Sequence, residues 1–290
     1  MKTLFRCLSI CPLWLLHGLG WLLGWAAFGL SHTYRKRLLA NARQAGYSLA
    51  DVRAAVGEAG KLVAELPRLW LGAQAPIFWQ GSELIDAALA QRRGIVFMTP
   101  HMGCFEATAQ GFARRYGPGG QSITVLYRPA RKAWLRALVG SARARPGLLA
   151  APTTLGGVKQ LIKALKNGQA VGLLPDQVPP AHMGVWAPFF GQPAYTMTLA
   201  ARLAQQPDAA VLIAWGERLA WGRGYCIHLS APQQAWAPGL ETAATQINAE
   251  MERIIRQRPG HYLWGYARYK RPAGLVATAD TAAAESAAAP

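Results

Sequence analysis

The strongest constraint on the fold is a run of seven residues, GIVFMTP, at positions 94–100. It is apolar, rich in β-forming side chains and bounded by Gly94 and Pro100, so it is too short for an ordinary helix and has no polar face to offer solvent. A fully buried strand fits best, and strands of that kind belong to sheets covered by helices on both faces. The rest of the chain alternates in the same sense. ITVLYR (123–128), AVGLLP (170–175), AAVLIAW (209–215) and GYCIHL (224–229) read as further strands. Helical spacing of apolar residues marks 51–71, 156–169, 196–206 and 240–258, and Ser82 is placed to cap ELIDAALAQRR. This alternation predicts an α/β domain with a mixed, largely parallel sheet flanked by helices. With 290 residues, 52% of them hydrophobic, the chain can bury a substantial core.

The N-terminus is of another kind. No Asp, Glu, Lys or Arg occurs from Cys7 to His32, and this run is long enough to cross a bilayer as a helix. Its three Trp suit a headgroup interface, and the heavier cationic flank, Arg35, Lys36, Arg37 and Arg43, follows it. The run exceeds the h-region of a cleaved signal and lacks a clear small-x-small site. The expected organisation is a membrane anchor at 1–31, either spanning or lying in the interface, a globular domain at 32–272 and a disordered tail at 273–290 whose composition is small and polar. If the anchor spans, its flanking charge would leave the domain on the cytoplasmic side. Four cysteines without metal-ligand spacing imply neither a zinc site nor disulfides.

Charge is also uneven. The net charge is +17, and between Glu106 and Asp176 there is no acidic residue against eleven basic ones. Such a stretch is either a solvated surface or an anion-binding one, and guanidinium groups match phosphate and carboxylate bidentately. Nucleic acid is the competing partner, but no zinc-ligand spacing, RNP-like motif or helix-turn-helix signature accompanies the charge.

Chemistry concentrates in TPHMGCFE, 99–106. His101 follows the buried strand directly, at the carboxyl end where open α/β sheets bind ligands. Glu106 lies five residues on. If His101 sits in a turn and Glu106 on the first turn of the next helix, the imidazole can reach back to the carboxylate, which would fix its tautomer and leave the other nitrogen as a base. Spacing alone leaves open the plainer alternative of a strand-ending histidine and a favourable helix-start charge. No second histidine completes HExxH, and GCFE does not suggest a nucleophile elbow for Cys104.

HMGCFE resembles the His-x4-acidic motif of the glycerolipid-type acyltransferases, and its glutamate variant resembles the late, lauroyl/myristoyl-type acyltransferases of bacterial lipid A biosynthesis. The ordered set of VLYRP, ARARPG, GLLPDQ, APFFGQPAYTMTLAARLA and PGHYLWGYARYK extends that resemblance over roughly residues 1–272. It implies a glycerolipid-acyltransferase-like fold, His101 as general base with Glu106 as its orienting partner, and Arg143 and Asp176 as further active-site residues. Arg128 and Arg145 would help bind anions. It also implies an acyl-acyl carrier protein donor, a phosphorylated lipid A precursor as acceptor, the inner membrane as setting, and no cofactor or metal. The sequence departs from the family pattern at Cys104 and Phe105, within ARKAW, and at Ala267 ahead of Arg268. The alternatives are an acyltransferase of the same fold acting on a glycerophospholipid or another glycolipid, or a basic membrane-anchored nucleic-acid-binding or scaffold protein.

Overall fold

A computed structural model describes residues 2–127 and 145–274. Residues 275–290 of the tail expected at 273–290, together with Arg128 and Arg143, lie outside the described residues. Among those described, a seven-stranded sheet has the order β1-β9-β8-β2-β5-β3-β4. The strands are β1 (Ile77–Gln80), β2 (Ile95–Met98), β3 (Ile123–Tyr127), β4 (Leu148–Pro152), β5 (Ala170–Leu173), β8 (Ala210–Arg218) and β9 (Tyr225–Ser230). Only the β8–β9 pairing is antiparallel, so the sheet is mixed and largely parallel.

β2 is central and all four of its residues are buried. Its side chains alternate between two cores, as the period of a strand requires. Ile95 and Phe97 pack with Ile85 of α5 (Glu83–Ala90) and Phe112 of α6 (Phe105–Tyr116). Val96 and Met98 face the opposite core. There they meet Leu161 of α7 (Leu155–Lys166), Ala200 of α8 (Thr198–Ala204) and Ile247 of α9 (Leu240–Gln257). The same core takes in Leu38 of α3 (His32–Gln44) and Val52 and Val56 of α4 (Leu49–Leu71).

Several local expectations need correction. Ser82 has helical φ/ψ and makes no side-chain cap, because a capping hydroxyl reaches the amides of the first turn from an extended backbone, which Ser82 does not adopt. Thr196 and Met197 end a strand instead of starting a helix. They belong to a separate antiparallel hairpin, β6 (Gly184–Phe189) and β7 (Gln192–Met197), which the Pro-rich APFFGQPAY conceals. The N-terminal apolar run is two helices, α1 (Lys2–Ile10) and α2 (Leu13–Leu30), broken where Pro12 cannot donate a backbone hydrogen bond. Ser31 then caps α3, accepting from the Tyr34 amide at 3.3 Å.

α2 packs antiparallel along α4, with small residues at the crossing. A β-carbon on Gly24 would stand 2.1 Å from the Val56 carbonyl oxygen, and one on Gly60 1.9 Å from that of Gly20. The two backbones therefore touch, and only glycine permits the approach.

Candidate active site

The parallel register of β2 and β5 builds the site. Ile95 pairs with Ala170 and Met98 with Leu173, and both chains leave the sheet at the same level. Continuing that register by three residues sets His101 opposite Asp176. The Asp176 carboxylate accepts from the His101 backbone amide at 2.9 Å and lies 2.7 Å from His101 Nδ1. A carboxylate can only accept there, so Nδ1 carries the ring proton and Nε2 is left as an acceptor. Asp176 is 1% exposed. Burial pushes its carboxyl up, but the His101 contacts and then Arg268 outweigh burial and hold it below its ordinary value.

The turn that carries His101 is fixed from two sides. Gly103 adopts φ +53°, and a β-carbon there would lie 2.1 Å from the Gly216 carbonyl oxygen of β8. The Gly103 amide donates to His261 O at 3.0 Å, the Leu263 amide to His101 O at 3.0 Å, and the Cys104 amide to Gly216 O at 2.7 Å. The PGHYLW segment is thus a clamp on the His101 turn. Cys104 is fully buried, and burial followed by the neighbouring Glu65 carboxylate pushes its thiol well up, which suits packing and not nucleophilic attack.

The residues expected in the site divide as follows. His101 and Asp176 are brought together. Glu106 lies half-buried on the first turn of α6, next to Phe105, whose ring meets the His101 ring edge-on at 5.1 Å. The carboxylate on Nδ1, however, is Asp176. Arg145 donates to the Leu69 and Trp70 carbonyls at 2.9 and 2.8 Å, satisfying the end of α4, and it does not line the cavity beside His101.

Two buried groups were not among the expected site residues. Arg268 donates to Tyr195 O and Thr196 Oγ1, both at 2.7 Å, and so ties β7 to the chain segment behind Asp176. Glu65 of α4, 0% exposed, accepts from His17 Nε2 (3.0 Å), Tyr225 Oη (3.0 Å) and Arg218 at Nε (2.9 Å) and Nη2 (2.6 Å). Burial alone would raise its carboxyl, but Arg218 and His17 hold it at about 2. Arg218 also meets Glu58 at 2.7 Å. No local pattern announces this network, because its members come from α2, α4, β8 and β9.

His101 opens onto a cavity of about 490 Å³ whose other walls include Leu126, Val158, Leu174, Met197 and Leu199. Among the described residues no group of three or more His, Cys, Asp or Glu side chains is arranged to hold a metal ion.

Fold and site together define an α/β domain with a histidine–aspartate pair at the carboxyl edge of its central strands, set against an apolar cavity. Comparison with known proteins makes the class specific. Residues 47–271 match the model of the bacterial lipid A biosynthesis acyltransferases, and the chain belongs to that family. It is 31% identical over 203 residues to the lipid A biosynthesis lauroyltransferase of Escherichia coli (strain K12), covering 67% of this chain and 62% of that relative. It is 25% identical over 197 residues to the palmitoleoyltransferase of the same pathway and strain, with the same coverage of each. A lipid A biosynthesis acyltransferase of Haemophilus influenzae is 24% identical over 192 residues, 63% of this chain and 56% of the relative. The chain thus spans about three fifths of the length of the curated relatives it matches.

Proposed function

We propose that this protein transfers a fatty acyl chain from acyl-acyl carrier protein to a hydroxyl of a phosphorylated lipid A precursor, at the cytoplasmic face of a bacterial inner membrane. The observation that carries the reading is the His101 ring, oriented through Nδ1 by buried Asp176 and lining an apolar cavity. A hydroxyl is a weak nucleophile at neutral pH. His101 Nε2 removes its proton as the oxygen attacks the thioester carbonyl, and the resulting imidazolium is stabilised by the Asp176 carboxylate. The imidazolium then returns the proton to the departing thiolate, and an ester replaces the thioester without a covalent enzyme intermediate.

Glu106 is the second acid of this scheme. Expected from the family resemblance as the orienting partner, it instead stands on the helix turn whose Phe105 touches the histidine ring, a position suited to the acceptor hydroxyl. The apolar cavity suits the acyl chain, since each methylene removed from water contributes about 0.8 kcal/mol. Arg128 and Arg143, in the acid-free stretch, are assigned to the lipid phosphate, the carrier protein or the developing oxyanion.

The test is acyl transfer in vitro by the purified full chain, with acyl-acyl carrier protein as donor and either a lipid A precursor or a lysophospholipid as acceptor. Product with the lipid A precursor alone, lost in His101→Ala and reduced about 100-fold in Glu106→Gln, supports the assignment. Product with the lysophospholipid alone would move the enzyme to glycerophospholipid chemistry. An unchanged rate in His101→Ala would overturn the general base.

A further inference from the structure

α2 is the one helix among the described residues long and apolar enough to cross a bilayer. At 18 residues it measures about 27 Å, close to the thickness of the hydrocarbon core. Its neighbours contradict a crossing. Before it, α1 is held to the far end of α4, with Phe5 against Trp70 at 5.9 Å between ring centroids and Arg68 Nη1 donating to Ser9 O at 3.2 Å. After it, α3 is held to the domain, where Leu38 is buried in the core and Asn41 donates to the carbonyls of Trp264 and Tyr266 at 2.6 and 2.7 Å. Between these fixed ends α2 lies along α4 through Leu13, His17, Gly20 and Gly24. α4 is itself built into the main core by Val52 and Val56. A helix fastened to one folded domain at both ends and along its length cannot thread a membrane that leaves the domain on one side.

The opposite side of α2 remains apolar and uncovered. Trp14, Leu22, Leu23 and Leu30 are all more than half exposed. A helix that is apolar all round is normally enclosed, by protein or by lipid; here protein covers only one side. Next to this face the β8–β9 turn presents Trp221, which is 87% exposed and held at φ +59°, a left-handed conformation that costs a tryptophan energy. Trp221, Trp14 and Leu22 line one groove of about 850 Å³. Residues 1–50 carry six basic side chains and no acidic one.

We infer that α2 lies flat in the bilayer interface, with the Trp221 turn inserted beside it as a second anchor, so that the domain is attached to one leaflet of an anionic membrane without spanning it. Apolar residues backed by cations are the features such a surface recognises, each cation near it adding about 1 kcal/mol. The inference rests on the proposed membrane setting only for the presence of an anionic bilayer.

Two measurements on the full chain test it. The first is sedimentation with vesicles of phosphatidylethanolamine containing one part in about four of phosphatidylglycerol. The intact protein is expected to bind, and a Trp221→Glu, Leu22→Glu double variant with an unchanged thermal melt is expected to bind roughly tenfold less. Unchanged binding of the double variant would overturn the insertion face. Failure of the intact protein to bind, together with twice the chain mass by light scattering, would assign the face to a second copy and overturn the inference.

The second is labelling by a membrane-impermeant maleimide in sealed inverted membrane vesicles, with Cys7 and Cys11 replaced by Ser. A cysteine introduced as Thr3→Cys and one introduced as Thr242→Cys should react from the same side. Thr3→Cys reacting only after permeabilisation would mean that α2 spans. Acyl transfer to a detergent-dispersed acceptor reports on the proposed reaction separately from either result.

Discussion

Asp176→Asn changes one atom and tests the proposed chemistry closely. In the parent, Asp176 receives two donors, the His101 amide at 2.9 Å and Nδ1 at 2.7 Å. Asparagine offers one acceptor oxygen and one NH2 group. The backbone amide is a fixed donor, so the asparagine oxygen turns toward it and the NH2 group faces Nδ1, which must then accept. The ring proton moves to Nε2, where the base is needed. In a serine-protease triad the same exchange costs about 10⁴ in kcat through the wrong tautomer, or about 5.5 kcal/mol of barrier. The expected result here is a 10³- to 10⁴-fold fall in kcat, on the order set by that tautomer change, with KM altered less than about threefold. Single-turnover acyl transfer gives the rate, and a circular dichroism melt shows that the fold survives. A folded variant within about tenfold of the parent rate would refute the tautomer argument.

Three further outcomes follow from the geometry. Glu65 has its carboxyl held at about 2 against an ordinary 4.5, worth about 3 kcal/mol to the folded state. Because the folded value is the lower one, this stability is fully present above pH 4.5 and drains away as pH falls toward 2; denaturant melts should show that window narrowed in Glu65→Gln, itself about 3 kcal/mol less stable because buried Arg218 loses one of its two carboxylates and keeps only Glu58. Gly103→Ala, forced against the Gly216 carbonyl at positive φ, should cost about 1–3 kcal/mol in thermal stability and lower kcat with little change in KM. Arg145→Ala should destabilise by about 1–2 kcal/mol by orphaning the end of α4 while the donor KM stays put, whereas a large rise in KM would restore the anion-binding role expected from sequence.

The sheet could be read from the chain because its central strands are short, wholly apolar runs: GIVFMTP and AVGLLP coincide with β2 and β5. The position of His101 followed from the same runs. Its partner did not follow from local spacing, since the five-residue step to Glu106 is visible along the chain, whereas the meeting with Asp176 depends on parallel pairing across 75 residues. The β6–β7 hairpin was hidden because Pro188 and Pro193 face each other in a two-stranded ribbon, where missing donors do little harm. Hydropathy identified the α2 segment but not its neighbour. Only the glycine contacts with α4 and the His17–Glu65 bond show that one side of it belongs to the domain.

The most direct test of the central claim is the mass spectrum of lipid A from cells lacking this chain, complemented with the parent or with His101→Ala. Acyl transfer based on His101 predicts lipid A short of one acyl chain without the protein, restored by the parent and still short with His101→Ala. Lipid A of the same mass in all three, or restoration by His101→Ala, would contradict it.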